Sequence, residues 1–349
     1  MSAADLAPAS TPAPALRVGI IGVGRIGRLH AELLSRQIPG AALGAVFEVF
    51  PEVAEAVAQE LGVPVVASVA ELLGADVDAV AICSSADSHA EYMIAAARAG
   101  KAIFCEKPVS LDLAELDAAL QAVQQAGVPF QIGFNRRFDP AHASVAAAVV
   151  AGQVGDPHLV RISSRDPAPP PLAYIKTSGG LFLDMMIHDF DMARFVTGSE
   201  VVEVFARGAV RVEPSFAQVG DVDTALVTLV HENGCLTAID NSRRAAYGFD
   251  QRVEVFGAKG MACSENPLAH TGQVMTEAGL RRPALPYFFL ERYTLSYVLE
   301  WQAFVAAVRA GAVTPTSLQD ARAPLVIGMA AWRSLREGVP VRVETPVAP

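Results

Sequence analysis

The run Gly22-Val-Gly-Arg-Ile-Gly27 constrains this chain more than any other segment. It follows a short apolar stretch, Leu16 to Ile21, and opens a helical pattern that continues through Leu34. In that setting the three glycines have separate tasks. The first permits a tight turn, the second lets the backbone approach a pyrophosphate, and the third lets the helix pack closely on the strand. The helix N-terminus left at the turn suits phosphate charge. Gly22, Gly24, Arg25, Ile26 and Gly27 therefore form a candidate dinucleotide loop, with Arg25 either facing a phosphate or solvated. Glu48 ends the next predicted strand, 21 residues beyond Gly27, where an acidic group meets ribose hydroxyls. A carboxylate there accepts from both hydroxyls and repels a 2′-phosphate, so NAD is expected rather than NADP. A glycine turn without ligand and a solvated Glu48 are the alternatives. Ser84, Ser85 and His89 follow a later predicted strand and fall at the same carboxyl edge. His89 suits either a cofactor contact or a packed cap of the following helix.

Strands predicted over 41–47, around Val65, and over 77–83, 102–105 and 130–134 alternate with helices over 53–61, 69–73, 90–99 and 113–126. Such alternation predicts a doubly wound parallel sheet. After Phe138 the rhythm changes. A helix over 141–151, a strand over 159–163 and a proline-rich loop over 167–171 lead to a helix introduced by Gly179-Gly180. Long strands then fill 201–263, with Asn233-Gly234 and Ala258-Lys-Gly260 as hairpin turns. Helical patterns return over 293–309 and 321–336. The expected fold is α/β: an N-terminal Rossmann domain over 16–138, and a C-terminal α+β domain over 139–349 with a large, mainly antiparallel open sheet. Residues 1–15, rich in Ala, Pro and Ser, read as a disordered tail without the charged and apolar regions of a signal peptide.

A net charge of -10, with no basic block, argues against nucleic acid or a membrane surface as partner. No apolar run approaches the roughly 18 residues of a membrane span, and a cytoplasmic protein is expected. Cys83, Cys105, Cys235 and Cys263 are too far apart for a CxxC motif and read as reduced core thiols. Of 27 basic side chains only Lys101, Lys107, Lys176 and Lys259 are lysine, which draws attention to each.

Lys107 stands in Glu106-Lys107-Pro108 at the carboxyl end of a predicted strand, the same edge, where Glu106 and Lys107 are both expected to contact the cofactor. The proline holds Lys107 extended, projecting a compact donor with a tunable pKa towards the cleft, a task for which guanidinium is too large and too basic. A surface lysine paired with Glu106 is the alternative. The second constellation is Asp184-Met-Met-Ile-His188-Asp-Phe-Asp191. On a regular helix, positions 184, 188 and 191 fall within about 60° of one another. A carboxylate beside histidine orients the ring and makes it a proton acceptor near neutral pH. A metal site is the weaker reading, since no further His or Cys cluster completes a sphere. A solvated charged helix is opposed by Met185, Met186, Ile187, Phe190 and Phe195.

The glycine motif, the Glu-Lys-Pro strand end, Gly133-Phe-Asn-Arg-Arg-Phe138 and the Gly-Gly…Asp-x-x-x-His segment stand in the order found in the glucose–fructose oxidoreductase/inositol dehydrogenase (Gfo/Idh/MocA) family, which the chain resembles. Ser164-Arg-Asp-Pro167, Tyr174-Ile-Lys176, Ile187 to Asp191, Asn241-Ser-Arg-Arg244 and Tyr247 to Gln251 bring it closest to the inositol 2-dehydrogenases. The resemblance covers nearly the whole chain after the tail. It implies that His188 accepts the hydroxyl proton, that Asp184 orients His188, and that Lys107 hydrogen-bonds the reacting oxygen. It also implies a polyol pocket lined by Arg136, Asp166, Asp191 and Tyr247, and a homotetramer assembled through the open sheet. Two departures stand out: Ser85-Ala86 where many relatives carry proline, and Glu48 for the commoner Asp. The expected activity is NAD-dependent oxidation of a ring hydroxyl of an inositol. A sugar dehydrogenase and a dinucleotide-sensing regulator without catalysis are the rivals.

Overall fold

The computed structural model describes residues 14–344, so most of the expected tail lies outside the described residues. The first unit runs β1 (Leu16–Ile21), α1 (Arg25–Arg36), β2 (Ala41–Phe47), α2 (Pro51–Leu61), α3 (Val69–Gly74), β3 (Ala79–Ile82), α4 (Ala86–Arg98), β4 (Ala102–Cys105), α5 (Leu113–Ala126) and β5 (Phe130–Ile132). Its five strands are parallel, in the order β2-β1-β3-β4-β5. β3 and β4 are buried throughout, as expected where helices cover both faces of a sheet. The strand expected around Val65 shrinks to one bridge with Val46. Pro64 has no N–H with which to extend a ladder, and Ser68 already caps α3 by accepting from the Glu71 N–H.

The order reverses at β1 and β3, so a crevice opens above their carboxyl ends. Gly22 lies there with φ of 88°, and a Cβ on it would fall 2.6 Å from the Ser84 backbone. A Cβ on Gly27 would meet the Gly22 carbonyl oxygen at 1.9 Å. Gly27→Ala is accordingly expected to destabilise the protein by about 1–3 kcal/mol, the usual cost of overpacking. An unchanged thermal melting temperature would show that α1 shifts without cost.

Beyond a 3-10 turn over Asn135–Phe138, the chain continues through α6 (Pro140–Val150), β6 (Pro157–Arg165), α7 (Leu172–Ile175), a π-helical segment (Leu181–Met185) and α8 (Ile187–Thr197). There follow β7 (Val201–Ala209), α9 (Ser215–Gln218), β8 (Thr224–His231), β9 (Leu236–Ser242), β10 (Asp250–Gly257), β11 (Gly260–Ser264), β12 (Val274–Thr276) and β13 (Gly279–Arg281). The chain closes with α10 (Phe289–Ala310), α11 (Leu318–Glu337) and β14 (Val341–Arg342). The large sheet has the order β11-β10-β6-β9-β8-β7-β14, and among its pairings only β6 with β9 is parallel. Alternation along these strands buries Val160, Ile162, Val227, Ile239 and Val253 against Phe190, Val196 and Ile327. The opposite face exposes Leu159, Leu226, Leu236 and Phe256.

The expected division at 138/139 assigns α10 to the second unit, yet its aromatic face lies in the first unit's core. Tyr293, Tyr297, Trp301 and Phe304 pack with Val18, Ile20, Ala81 and Phe104. The other face of the first sheet meets Leu183, Ile187 and Leu325, which brings the π-helical segment against the end of β4. Cys83, Cys105 and Cys235 are buried free thiols, whereas Cys263 is exposed, because it points outward on edge strand β11.

Candidate active site

Lys107 is the second residue beyond β4, and its peptide bond to Pro108 is cis. Its Nζ donates to the Asp184 carbonyl at 2.9 Å and lies 3.4 Å from Asp184 Oδ1. Asp184 sits in the π-helical segment and is 8% exposed. Its Oδ1 also accepts from the Tyr174 hydroxyl at 2.8 Å, and its Oδ2 accepts from Arg243 Nη2 at 2.9 Å. Arg243 Nη1 reaches Asp166 Oδ2 at 3.2 Å. Burial alone would raise the Asp184 carboxyl, but Lys107, Arg243 and the Tyr174 hydroxyl together hold it below its ordinary range. Asp166 is pushed up by burial, against the pull of Arg243.

His188 stands in the first turn of α8. Burial, then the charges of Lys107 and Arg136, hold its pKa well below the ordinary histidine value. The positive end of the helix dipole acts in the same direction. The ring is therefore neutral at pH 7, and Phe134 packs edge-on against it at 5.8 Å. Nδ1 is buried without a hydrogen-bond partner, which leaves Nε2 as the nitrogen able to reach a substrate. The expected bond from Asp184 to His188 is not formed. A regular helix would align the two, but the segment is π-helical through Met185 and winds as α-helix only from Ile187. The Asp184 oxygens are taken by Lys107, Tyr174 and Arg243.

Asp191 is likewise not in this group. It is 1% exposed and held by Arg137 through two bonds of 2.8 and 2.6 Å, so its carboxylate has been spent on tying α8 to the 3-10 turn. Tyr247 is 53% exposed and bonds Asp250 and Arg165, a cluster that makes no hydrogen bond to Lys107, Asp184 or Arg243 among the described residues. Arg136 is buried on Asp189 and Ser164 at 2.7 and 3.0 Å; it acts on His188 through its field.

At the glycine loop the residues fit a dinucleotide. A Cβ on Gly24 would meet nothing within 4 Å, so the backbone is open to a close ligand. The N-terminus of α1 has no side-chain cap, which leaves its N–H groups for an anion. Glu48 Oε2 accepts from the Val23 N–H at 2.9 Å, and Oε1 from the Val49 N–H at 2.9 Å. The carboxylate thus stands against the loop. Arg25 is exposed, 5.7 Å from the Phe288 ring, and Ile26 is half-buried against the first core. Ser84 bonds Ser88 at 2.7 Å. Two expected cofactor contacts are corrected. His89 is 2% exposed with its ring nitrogens on the Pro108 and Ser84 carbonyls at 2.8 and 2.9 Å, so it ties two loops together. Glu106 turns inward, 2.8 Å from His30. Lys176 is exposed.

Arg243 and Tyr174 carry no expected role, although both lie in motifs quoted above. A signal for Arg243 existed: Thr237, Ile239 and Asn241 are the buried positions of β9, and the same alternation points residue 243 inward. An inward arginine at a strand end requires a carboxylate.

Residues 16–134 match the model of an oxidoreductase family with an NAD-binding Rossmann fold, and residues 142–263 match the GFO/IDH/MocA C-terminal domain. The chain is 47% identical over 331 residues to the myo-inositol 2-dehydrogenase of Thermotoga maritima, covering 94% of this chain and 99% of that protein. It is 45% identical over 322 residues to the inositol 2-dehydrogenase of Rhizobium meliloti, covering 92% and 97%. The solved scyllo-inositol dehydrogenase of Lactobacillus casei with bound NAD(H) and scyllo-inositol matches with a TM-score of 0.89 and 32% identity, over 94% of this chain and 99% of that one.

Proposed function

The chain belongs to the Gfo/Idh/MocA oxidoreductase family, and from that membership we propose that it oxidises a secondary ring hydroxyl of an inositol to the ketone with NAD as acceptor. The observation that carries this reading is the placing of a neutral, half-buried His188 in the field of the Lys107 ammonium at the carboxyl end of a dinucleotide-binding sheet. The relatives above act on, or bind, inositols.

Gly22, Gly24, Gly27 and the N-terminus of α1 would hold the pyrophosphate, and Glu48 the adenosine ribose. Bound NAD supplies the acceptor for the hydride leaving the substrate carbon. His188 Nε2 takes the hydroxyl proton. As that oxygen gains negative charge, the Lys107 ammonium stabilises it by a charge-assisted hydrogen bond. Asp184 restrains Lys107, and Arg243 neutralises Asp184 so that the pair does not quench the ammonium. Asp166, with one carboxylate oxygen outside its Arg243 contact, accepts from ring hydroxyls. A misplaced hydroxyl would leave this half-buried carboxylate unpaired, which sorts isomers. The location we propose is the cytoplasm: no described helix is long and apolar enough to cross a membrane. The exposed apolar row on the large sheet supports a homo-oligomer.

Steady-state assays with myo-, scyllo- and chiro-inositol and a panel of cyclic aldoses, each with NAD and NADP, test the reading. Turnover of an inositol with NAD is expected. Turnover of aldoses alone would make the protein a sugar dehydrogenase. No turnover of any polyol while NADH binds would leave a dinucleotide sensor.

A further inference from the structure

Glu106, immediately before Lys107, ends a row of three buried groups drawn from distant parts of the chain. Trp301 Nε1 donates to His30 Nδ1 at 2.8 Å. His30 Nε2 lies 2.8 Å from Glu106 Oε1. Glu106 Oε2 in turn accepts from the Lys107 backbone N–H at 3.2 Å. His30 and Trp301 are 0% exposed and Glu106 only 8%. An indole nitrogen can only donate, so His30 Nδ1 is an acceptor without a proton. The His30 proton therefore sits on Nε2, where it is given to Glu106. Geometry fixes the tautomer.

The surroundings hold this row in place. The rings of Phe104, Tyr297 and Trp301 lie 5.2, 5.6 and 5.7 Å from the His30 ring. Gly133 leaves room for the carboxyl group, since a Cβ there would stand 3.2 Å from Glu106 Cδ. Glu300 is 0% exposed with neither oxygen bonded. Burial, with Glu106 and Asp191 adding to it, raises its pKa well above the ordinary value. A carboxylate buried at such cost one residue from the reacting lysine calls for a role, and the dinucleotide loop does not use it.

We infer that His30, held in its Nε2–H form by Trp301, is a positioning residue: through Glu106 it fixes the Lys107 backbone and so the point from which the ammonium reaches the reacting oxygen. The inference rests on the role proposed for Lys107. It also gives α10 a purpose beyond packing, because the indole that sets the tautomer comes from that helix.

His30→Leu removes the donor and His30→Gln keeps an amide donor for Glu106. In the full-length enzyme with NAD and its best inositol, His30→Leu is expected to lower kcat by about 10- to 100-fold, the scale of a 1 Å misplacement. NADH affinity, read by its fluorescence, stays within about twofold, and the primary deuterium isotope effect on kcat rises as hydride transfer becomes limiting. His30→Gln recovers most of the loss. Wild-type kcat in folded His30→Leu overturns the inference, as does equal impairment in both variants, which marks a packing defect. If His30→Leu does not fold, the isosteric Glu106→Gln decides: it loses the acceptor facing the Lys107 N–H, and undiminished kcat there is equally fatal. Lys107→Met, run alongside, separates the two ideas. Wild-type turnover without that lysine sinks both, whereas an inactive Lys107→Met beside a fully active His30→Leu removes only the role of His30.

Discussion

Replacing His188 with asparagine lowers kcat by about two to four orders of magnitude, the range associated with losing a positioned general base, while NADH affinity stays within about twofold. Neither His89 nor His30 can substitute for it: His89 is tied to two carbonyls, and His30 is enclosed by Trp301 and Glu106. The pH profile supplies a second readout. Burial, Lys107 and Arg136 depress the His188 pKa, so the ring stays neutral as pH falls through the ordinary histidine range. The acid limb of kcat/KM therefore lies below pH 6.5, the unperturbed histidine value. Lys107→Met withdraws one of those charges and shifts the limb of the residual activity upward. A limb at or above pH 7 in the wild type, or a His188→Asn enzyme within tenfold of wild-type kcat, would remove His188 from the base position.

Arg243→Leu carries the largest expected loss of stability, about 3–5 kcal/mol, because it breaks a buried ion pair and strands the partners. Arg243 is 3% exposed and spans two carboxylates, Asp184 and Asp166. Without it the two face each other with Lys107 beside Asp184 and Arg136 acting on Asp166 through its field, and the Lys107 ammonium is drawn towards Asp184 and away from the substrate. Catalysis falls along with stability. The sign of the pH dependence follows from Asp184. A carboxyl held below its ordinary value contributes stability above its unfolded pKa, and that contribution is lost as pH falls through the folded value. The deficit of the variant is thus greatest at neutral pH and shrinks only below about pH 4, as Asp184 takes up its proton. Chemical denaturation at pH 7 and pH 3 measures it. Arg243→Lys keeps a charge but not the fork that serves both acids, and it falls between. Equal stability of wild type and Arg243→Leu at pH 7 would mean that water satisfies both carboxylates.

The parallel sheet was readable because its strands are apolar runs and its helices periodic, and both are local properties. The glycine loop, Glu48 and the Lys107 strand end were legible for the same reason: each is defined by its place in a β-α-β unit. What escaped was the competition among long-range partners. Asp184 and His188 are four residues apart, and periodicity pairs them, but Arg243, Lys107 and Tyr174 arrive from elsewhere and take the carboxylate first. Asp191 is claimed by Arg137 in the same way, and Glu106 by His30. The regular helix assumed over 184–191 also failed, since spacing does not report a π-helical turn. Helix α10 showed as a helix, but nothing in its pattern says which sheet its aromatics will cover.

That last assignment bears on how the protein is made. The sheet built by residues 16–132 is covered by Trp301, Phe304 and their neighbours, which leave the ribosome well after its last strand. At roughly 5–20 residues per second, the nascent sheet waits on the order of ten seconds or more with Phe104 lacking its Trp301 and Phe304 neighbours. Synthesis therefore passes through a stage at which the dinucleotide-binding half is wound but unroofed. The roofing helix also delivers the indole that sets His30, so the unfinished half cannot present Lys107 in its working position until α10 has been made.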